Sequence, residues 1–150
     1  MSCGAGASDG TLAGTPLIDP SNAVEHGVGV LLTEHGGSTA RRIAEIAPGA
    51  HIVKAFHLFP ADQWLSTPAD GEPVTVAMCG DDPTALHVVS ELVRDVGGLP
   101  AVLGSLDRVR QLEEVAGFVI GLAFAGFDPN SAVPRVLSAT GSARSGVASA

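Results

Sequence analysis

His51-Ile-Val-Lys54-Ala-Phe-His57-Leu-Phe-Pro60 is the stretch on which the fold turns. An apolar run carries one lysine inside it, and a histidine stands just past its end, before a Phe-Pro turn. A strand covered on both faces in a parallel α/β sheet has this pattern, apolar along its length and polar where it leaves the sheet. In open α/β folds that edge is where ligands bind. Pro73-Val-Thr-Val-Ala-Met-Cys79-Gly80-Asp81-Asp82 repeats the pattern, with a polar, glycine-containing turn and then Pro83 opening a helix. The two strand ends are expected to lie side by side, so that His57 and Gly80-Asp81-Asp82 share one cleft.

Working outward, Thr15-Pro-Leu-Ile-Asp19 is a short strand and Pro20-Ser-Asn22 its exit turn. Asn22 either meets a ligand at this strand end or, more plainly, closes the turn through its own side chain. Ser38 or Thr39 caps a helix running to Ala47, with Ile43, Ile46 and Ala47 as its buried stripe and Pro48-Gly49 as its stop. On the other side, Trp64 sits in a loop and covers the core. Asp82 is the cap and Pro83 the first residue of a helix whose apolar face is Ala85, Leu86, Val89, Leu92 and Val93. Asp81 and Asp82 are explained first by capping and by the helix dipole, ahead of any acid–base role. Gly97-Gly98 end that helix, and Leu99-Pro-Ala-Val-Leu103 is a Pro-containing strand near an edge. Gly104-Ser105 turn into a last helix from Leu106 to about residue 127. Its second half is apolar on nearly all sides and is expected to be buried, in a subunit interface.

The predicted fold class is therefore α/β: about four mostly parallel strands with helices covering the sheet. A full dinucleotide fold has six strands in two halves, so the pattern is that of a truncated Rossmann-like half. One domain is expected over residues 15–130, between flexible tails at 1–14 and 131–150. Gly4-Ala-Gly6 is no dinucleotide fingerprint, because only three residues precede it and the fingerprint needs a strand there.

With 45% hydrophobic residues in 150, the chain has enough apolar surface for a real core. Aromatics are only 4% and Tyr is absent, so that core is built from Val, Leu, Ile and Ala. A net charge of −8 argues against nucleic acid and anionic membranes as partners, since both need a basic face. Cys3 and Cys79 make no disulfide scaffold. The first residues lack the basic and apolar segments of a secretory leader, so a cytoplasmic location is the default expectation. The longest apolar run, residues 115–127, is too short to cross a bilayer. Glu25-His26 and Glu34-His35 stand nine residues apart, which fits no zinc spacing. They are taken as loop residues, with no metal site, and any further role is left open.

Over residues 18–127 the chain resembles the NADPH-dependent reductases of the deazaflavin coenzyme F420 (F420:NADP oxidoreductases). The motifs come in the family's order. Ile18-Asp19-Pro-Ser-Asn22 is similar to its strand ending in Asp-x-x-Asn. Ala47-Pro-Gly-Ala-His-Ile-Val-Lys54-Ala-Phe-His57 resembles its Pro-Gly…Val-Lys-Ala stretch, where many members carry Asn and archaeal members His at the position of His57. Val76-Ala-Met-Cys79-Gly80-Asp81-Asp82 resembles its Cys/Ala-Gly-Asp-Asp turn. Gly97-Gly-Leu…Arg110-Gln-Leu-Glu113 resembles its Gly-x-Leu…Arg-x-Leu-Glu ending.

The resemblance implies direct hydride transfer between two stacked rings, for which the cofactors supply the chemistry and the protein the placement. Carried over by position, Asn22, His57, Gly80, Gly104 and Ser105 line the deazaflavin pocket, and His57 hydrogen-bonds the ring as the candidate catalytic residue. Lys54 belongs to the same candidate set; it points into the cleft or pairs with a buried acid such as Asp19. The family's glycine fingerprint and NADP phosphate site have no counterpart among these residues. NADP is thus expected only if a partner chain, or a second copy in a homodimer, supplies that site. Two alternatives stand beside this oxidoreductase. In one, the same pocket is reused without a nicotinamide, by a cofactor-free enzyme with His57 as acid–base or by a non-catalytic small-molecule binder. Or the chain is a structural subunit docked through its apolar last helix.

Overall fold

The computed structural model describes residues 11–65 and 73–136, without the side chains of Gln63 and Leu65. Cys3, the Gly4-Ala-Gly6 segment and most of both expected tails lie outside the described residues. Four strands form one sheet in chain order: β1 (Pro16–Asp19), β2 (His51–Lys54), β3 (Thr75–Gly80) and β4 (Leu99–Val102). The helices are α1 (Thr39–Ile46), α2 (Ala61–Leu65), α3 (Pro83–Asp95) and α4 (Val109–Phe124). A 3-10 turn, Leu106–Arg108, leads into α4. The mostly parallel α/β sheet expected from the sequence is present: β1 pairs β2 and β3 pairs β4 in parallel.

The middle pair departs from expectation. β2 and β3 run antiparallel, with Val53 opposite Gly80 and Lys54 opposite Cys79. A parallel neighbour requires a crossover of a dozen or more residues, usually a helix packed on the sheet. Among the described residues of the connection, α2 is the one helix, of five residues, and no crossover helix is seen. The ends of β2 and β3 therefore leave at opposite edges, and the expected shared cleft does not form.

Alternation along the strands divides the core into two layers. Val53, Val76 and Met78 face α3, through Ala85, Val89 and Val93. Ile52 and Cys79 face the other way, against Ala40 of α1 and Leu106, Val109 and Leu112. Ser38 caps α1 by accepting from the Arg41 N–H at 3.1 Å, and Asp82 caps α3 by accepting from Ala85 at 2.7 Å, both as predicted. Ile46 and Leu92 were expected in buried stripes but are 64% and 43% exposed. The phase of α1 follows Ala40, Ile43, Ala44 and Ala47, and a residue at position 46 falls outside that i, i+3, i+4, i+7 row. Trp64 packs against the α3 layer, as cover.

Residues 23–32 form a strap across α4, joined by the Val24–Leu31 bridge. Glycines let the two backbones touch. A Cβ on Gly117 would stand 2.3 Å from the Gly29 carbonyl oxygen, and one on Gly121 would stand 2.9 Å from that of Val28. Within the single chain the second half of α4 is left open on the side where a subunit interface is expected: Phe118 is 51% and Phe124 54% exposed. The strap covers one side of the helix only. Glycine to alanine inside a helix usually gains about 0.5–1 kcal/mol. Gly117→Ala is expected to reverse that sign and cost about 1–3 kcal/mol by overpacking, read as a lower urea midpoint with an unchanged slope.

Candidate functional site

A lysine sits where the two parallel strands β1 and β2 meet α4. Lys54 is fully buried, and its Nζ donates to Asp19 Oδ2 at 2.9 Å and to the Ser21 carbonyl at 2.5 Å. Glu113 Oε1 lies 3.6 Å away. Glu113 in turn accepts from the Thr39 and Ala40 amides at the start of α1, at 3.0 and 3.4 Å. Burial pushes the Asp19 carboxyl up, but its bonds from Ser21 and Lys54 outweigh that and hold it below the usual range. Of the two roles open to Lys54 from sequence, the structure shows pairing with Asp19. Asp19, and not Asn22, makes the exit turn, accepting from the Ser21 N–H and hydroxyl.

That turn delivers Asn22 to His57. Asn22 Nδ2 donates to the His57 carbonyl at 2.5 Å. Phe56, at φ 62°, breaks the strand sharply and presents His57 beyond it. It is the single non-glycine residue with positive φ among those described. The His57 side chain is buried; neither ring nitrogen makes a well-formed hydrogen bond, although the Leu112 carbonyl is within its reach, and Asn22 Oδ1 lacks a partner. Both residues line a cavity of about 250 Å³ whose other walls are apolar: Leu58, Phe59, Pro60, Ala116, Val119 and Ile120. Burial, assisted by the Lys54 charge, lowers the His57 pKa to about 4, against a smaller opposing pull from the Leu112 carbonyl. The imidazole is thus neutral at pH 7. Buried polar atoms in native proteins are nearly always satisfied, so the unsatisfied ones at this small cavity make it the candidate site.

Gly80, Gly104 and Ser105 are grouped at the opposite edge of the sheet. The Gly80 N–H donates to the Gly104 carbonyl at 3.1 Å, and Ser105 Oγ caps the Leu106–Arg108 turn. A second hollow of about 310 Å³ lies there, lined by His51, Asp81, Asp82 and Leu106 among others. Asp81, read from sequence only as part of a cap, accepts from the Leu106 N–H at 2.9 Å. The six sequence-predicted residues therefore split into Asn22, Lys54 and His57 at one edge and Gly80, Gly104 and Ser105 at the other.

A glycine turn feeding a helix is the usual phosphate cradle. Here the turn after Gly80 carries two carboxylates, and these already accept from the Ala85 and Leu106 amides. That turn does not fit a phosphate. A further hollow of about 550 Å³ lies between the strap and α4. Its one ion pair, Arg110 with Glu114, is internally satisfied, and Arg110 also donates to the Gly37 carbonyl. Glu25, His26, Glu34 and His35 lie in the strap region, where His26 packs edge-on against Phe124. Among the described residues no cluster of His, Cys, Asp and Glu is placed to hold a metal. No helix of the described residues is long and apolar enough to cross a membrane.

No family model matches the chain. Over 104 residues it is 36% identical to the metalloreductase STEAP3 of Rattus norvegicus, covering 69% of this chain and 20% of that one. It is 31% identical over 104 residues to Homo sapiens metalloreductase STEAP2, with the same coverage. The chain spans about a fifth of the length of these curated relatives. Among solved structures, it is similar to the hypothetical protein SMa0349 of Sinorhizobium meliloti, with a TM-score of 0.51 and 31% identity over 59% of this chain and 44% of that one. A candidate F420-dependent NADP-reductase from Arthrobacter sp. FB24 superposes with a TM-score of 0.64, at 24% identity, over 77% of this chain and 55% of that one. The chain thus has a Rossmann-like α/β fold, as its solved neighbours do. The resemblance seen in the sequence holds at that level.

Lys54→Met leaves two carboxylates buried and unpaired, and is expected to cost about 3–5 kcal/mol. Changing Asp19 and Glu113 to Asn and Gln in the same chain should recover much of the loss, as read by urea unfolding. His57 supplies a pH signature. Its folded pKa lies below the unfolded value of 6.5, at about 4. Between those values the unfolded chain binds the proton and the native state does not, so stability falls as pH drops. The slope should reach about 1.4 kcal/mol per pH unit between pH 6.5 and 4, and His57→Asn should flatten it.

Proposed function

We propose that this chain is the ring-binding part of a reductase. It holds a redox-active ring, the deazaflavin of F420 or a similar one, at the His57–Asn22 cavity. A second copy or a partner chain supplies the nucleotide phosphate site. The observation that carries this is the set of unsatisfied polar atoms, His57 Nδ1 and Nε2 and Asn22 Oδ1, at an apolar cavity on a reductase-type fold. Similarity to metalloreductases supports the redox assignment. When bound, such a ring supplies the hydride chemistry. The chain's own residues hold the ring edge by hydrogen bonds, exclude water with the walls contributed by Phe59, Val119 and Ile120, and keep the imidazole uncharged.

Lys54 belongs to this proposal as support, through Asp19 and the Ser21 carbonyl, and does not touch the ring. The acidic Gly80–Asp82 turn supports a partner for NADP, since its carboxylates occupy the Ala85 and Leu106 amides and repel a phosphate.

A second reading is favoured by the size of the cavity, about 250 Å³, below the range of about 300–1,000 Å³ usual for larger ligands. In it the pocket serves small-molecule binding without any nicotinamide. His57 is then a hydrogen-bonding group near neutrality, because a base with a pKa of about 4 is poorly matched to acid–base work at pH 7.

Fluorescence titration with F420, with and without NADPH, decides between them. The ring-binding proposal expects saturable F420 binding, little NADPH binding by this chain alone, and at least a tenfold loss of F420 affinity in His57→Ala, about 1.4 kcal/mol. Absence of F420 binding would favour the second reading.

A further inference from the structure

We infer that the bare face of α4 is where a second copy of this chain docks, the two α4 helices packing antiparallel about a two-fold axis at Phe118. The inference does not rest on what the His57 cavity binds.

One row of side chains carries it. Gln111, Val115, Phe118, Leu122 and Ala125, running along α4 to its cap, are spaced by four, three, four and three residues. That alternation averages 3.5 residues and keeps a row facing a partner helix along its whole length. The neighbouring rows of the helix are used within the chain. Leu112 and Ala116 are in the core, and Gly117 and Gly121 lie against the strap backbone. The row itself is left over: Gln111, Val115, Phe118 and Ala125 are exposed and Leu122 is half-buried. Beside it the strap adds Val28 and Val30, both more than half exposed. Strap and row are the two walls of the hollow of about 550 Å³. A continuous apolar surface of this kind marks a docking face.

The charges select the occupant. Arg108 stands at the start of α4, where the helix dipole is itself positive. The other end has no basic residue in its last turn, and Asp128 follows it. Each end lacks what the other carries. Two antiparallel copies therefore set each Arg108 beside the last turn of the other helix and Asp128 of the partner subunit, whereas a parallel pair sets like ends together. The register comes from the row. Phe118 is its middle member and meets its own copy on the axis, while Gln111 meets the partner's Ala125. Such a contact is isologous, as a two-fold dimer requires. Other occupants fit less well. The row is about 21 Å long, at 1.5 Å per residue, which suits a helix and exceeds a small molecule. Glu114 at the rim already pairs Arg110, and the chain carries a net charge of −8, so no positive field draws nucleic acid or an anionic membrane.

Sedimentation equilibrium of the full chain should give twice the 15.0 kDa of one chain. Phe118→Glu sets two carboxylates on the axis and should weaken the dimer about a hundredfold or more. Phe118 is exposed in the single chain, so the fold should survive, read as an unchanged far-UV spectrum. Leu92→Glu makes the same kind of change at an exposed residue of α3 and should leave the dimer intact. Arg108→Glu should weaken it about tenfold. Oxidative cross-linking in a Cys3→Ser background, with Cys79 buried, reads the geometry. Phe118→Cys should link two chains. Val115→Cys should not, because three residues from the axis its two copies lie about 9 Å apart, too far for a disulfide. A monomer at about 0.1 mM, a hundredfold above a micromolar Kd, overturns the inference. So does a dimer untouched by Phe118→Glu, or one that Phe118→Cys fails to link or Val115→Cys links. A monomer that floats with phosphatidylcholine vesicles makes the occupant a lipid surface and overturns it too. The F420 titration is read separately, so failure here leaves the ring-binding reading to its own test.

Discussion

The buried ammonium of Lys54 is the constraint from which the rest of the structure follows. Stripping a lysine of water costs several kcal/mol unless its donors are met. Here they are met by Asp19 on one strand and by the carbonyl of Ser21 just beyond it, with Glu113 of a helix close by. Two carboxylates about one cation leave a formal negative charge. Glu113 spreads part of that charge onto the first amides of α1, where a helix dipole favours it. Strands β1 and β2 and helices α1 and α4 are thereby fixed to one another at a single point. The exit turn of β1 is part of the same knot, so the position of Asn22 is set by it. So is the spacing between His57 and the α4 residues that wall its cavity. The same positive charge helps keep the imidazole neutral.

Local signals in the sequence were legible because they depend on neighbours a few residues away. Ser38 and Asp82 as caps, Pro83 at a helix start and the alternation through Val53 and Val76 all follow from short-range rules. The direction of β3 against β2 was not legible. Both strands are apolar runs that end in a polar turn, and nothing in such a run says which way its neighbour points. That choice depends on how the connection between them packs, which no local pattern records. The error carried into the site. Six residues expected around one ligand became two groups of three at opposite edges. The burial of Glu113 beside Lys54 was also hidden, because they lie far apart in sequence and Glu113 sits among ordinary helix residues.

α4 shows a different limit. Its glycines looked like weak points in an apolar helix, yet Gly117 and Gly121 are where the strap backbone lies directly against it. Hydrophobicity alone suggested burial in an interface; within the chain, the strap covers one side. Phe118 and Phe124 remain open to solvent. A helix can thus be packed backbone to backbone on one face and bare on another, a distinction that composition does not carry.

The division of polar groups between the two edges bears on what each edge can do. At the edge of Gly80, the helix-start amides that attract anions elsewhere are already claimed by Asp81 and Asp82. Their charges repel a phosphate as well as occupying its donors. At the other edge, His57 and Asn22 present neutral acceptors inside apolar walls, and the one nearby cation is locked behind them. Neither edge suits an anion, in keeping with a chain of net charge −8. What distinguishes them is desolvation. The carboxylates stay at a partly wetted turn and are satisfied by backbone amides, whereas the imidazole and Asn22 Oδ1 are buried without a well-formed bond. Unsatisfied buried groups raise the energy of the empty site and lose that penalty when a matching donor enters. On the proposed function, binding energy is therefore concentrated at the His57 edge.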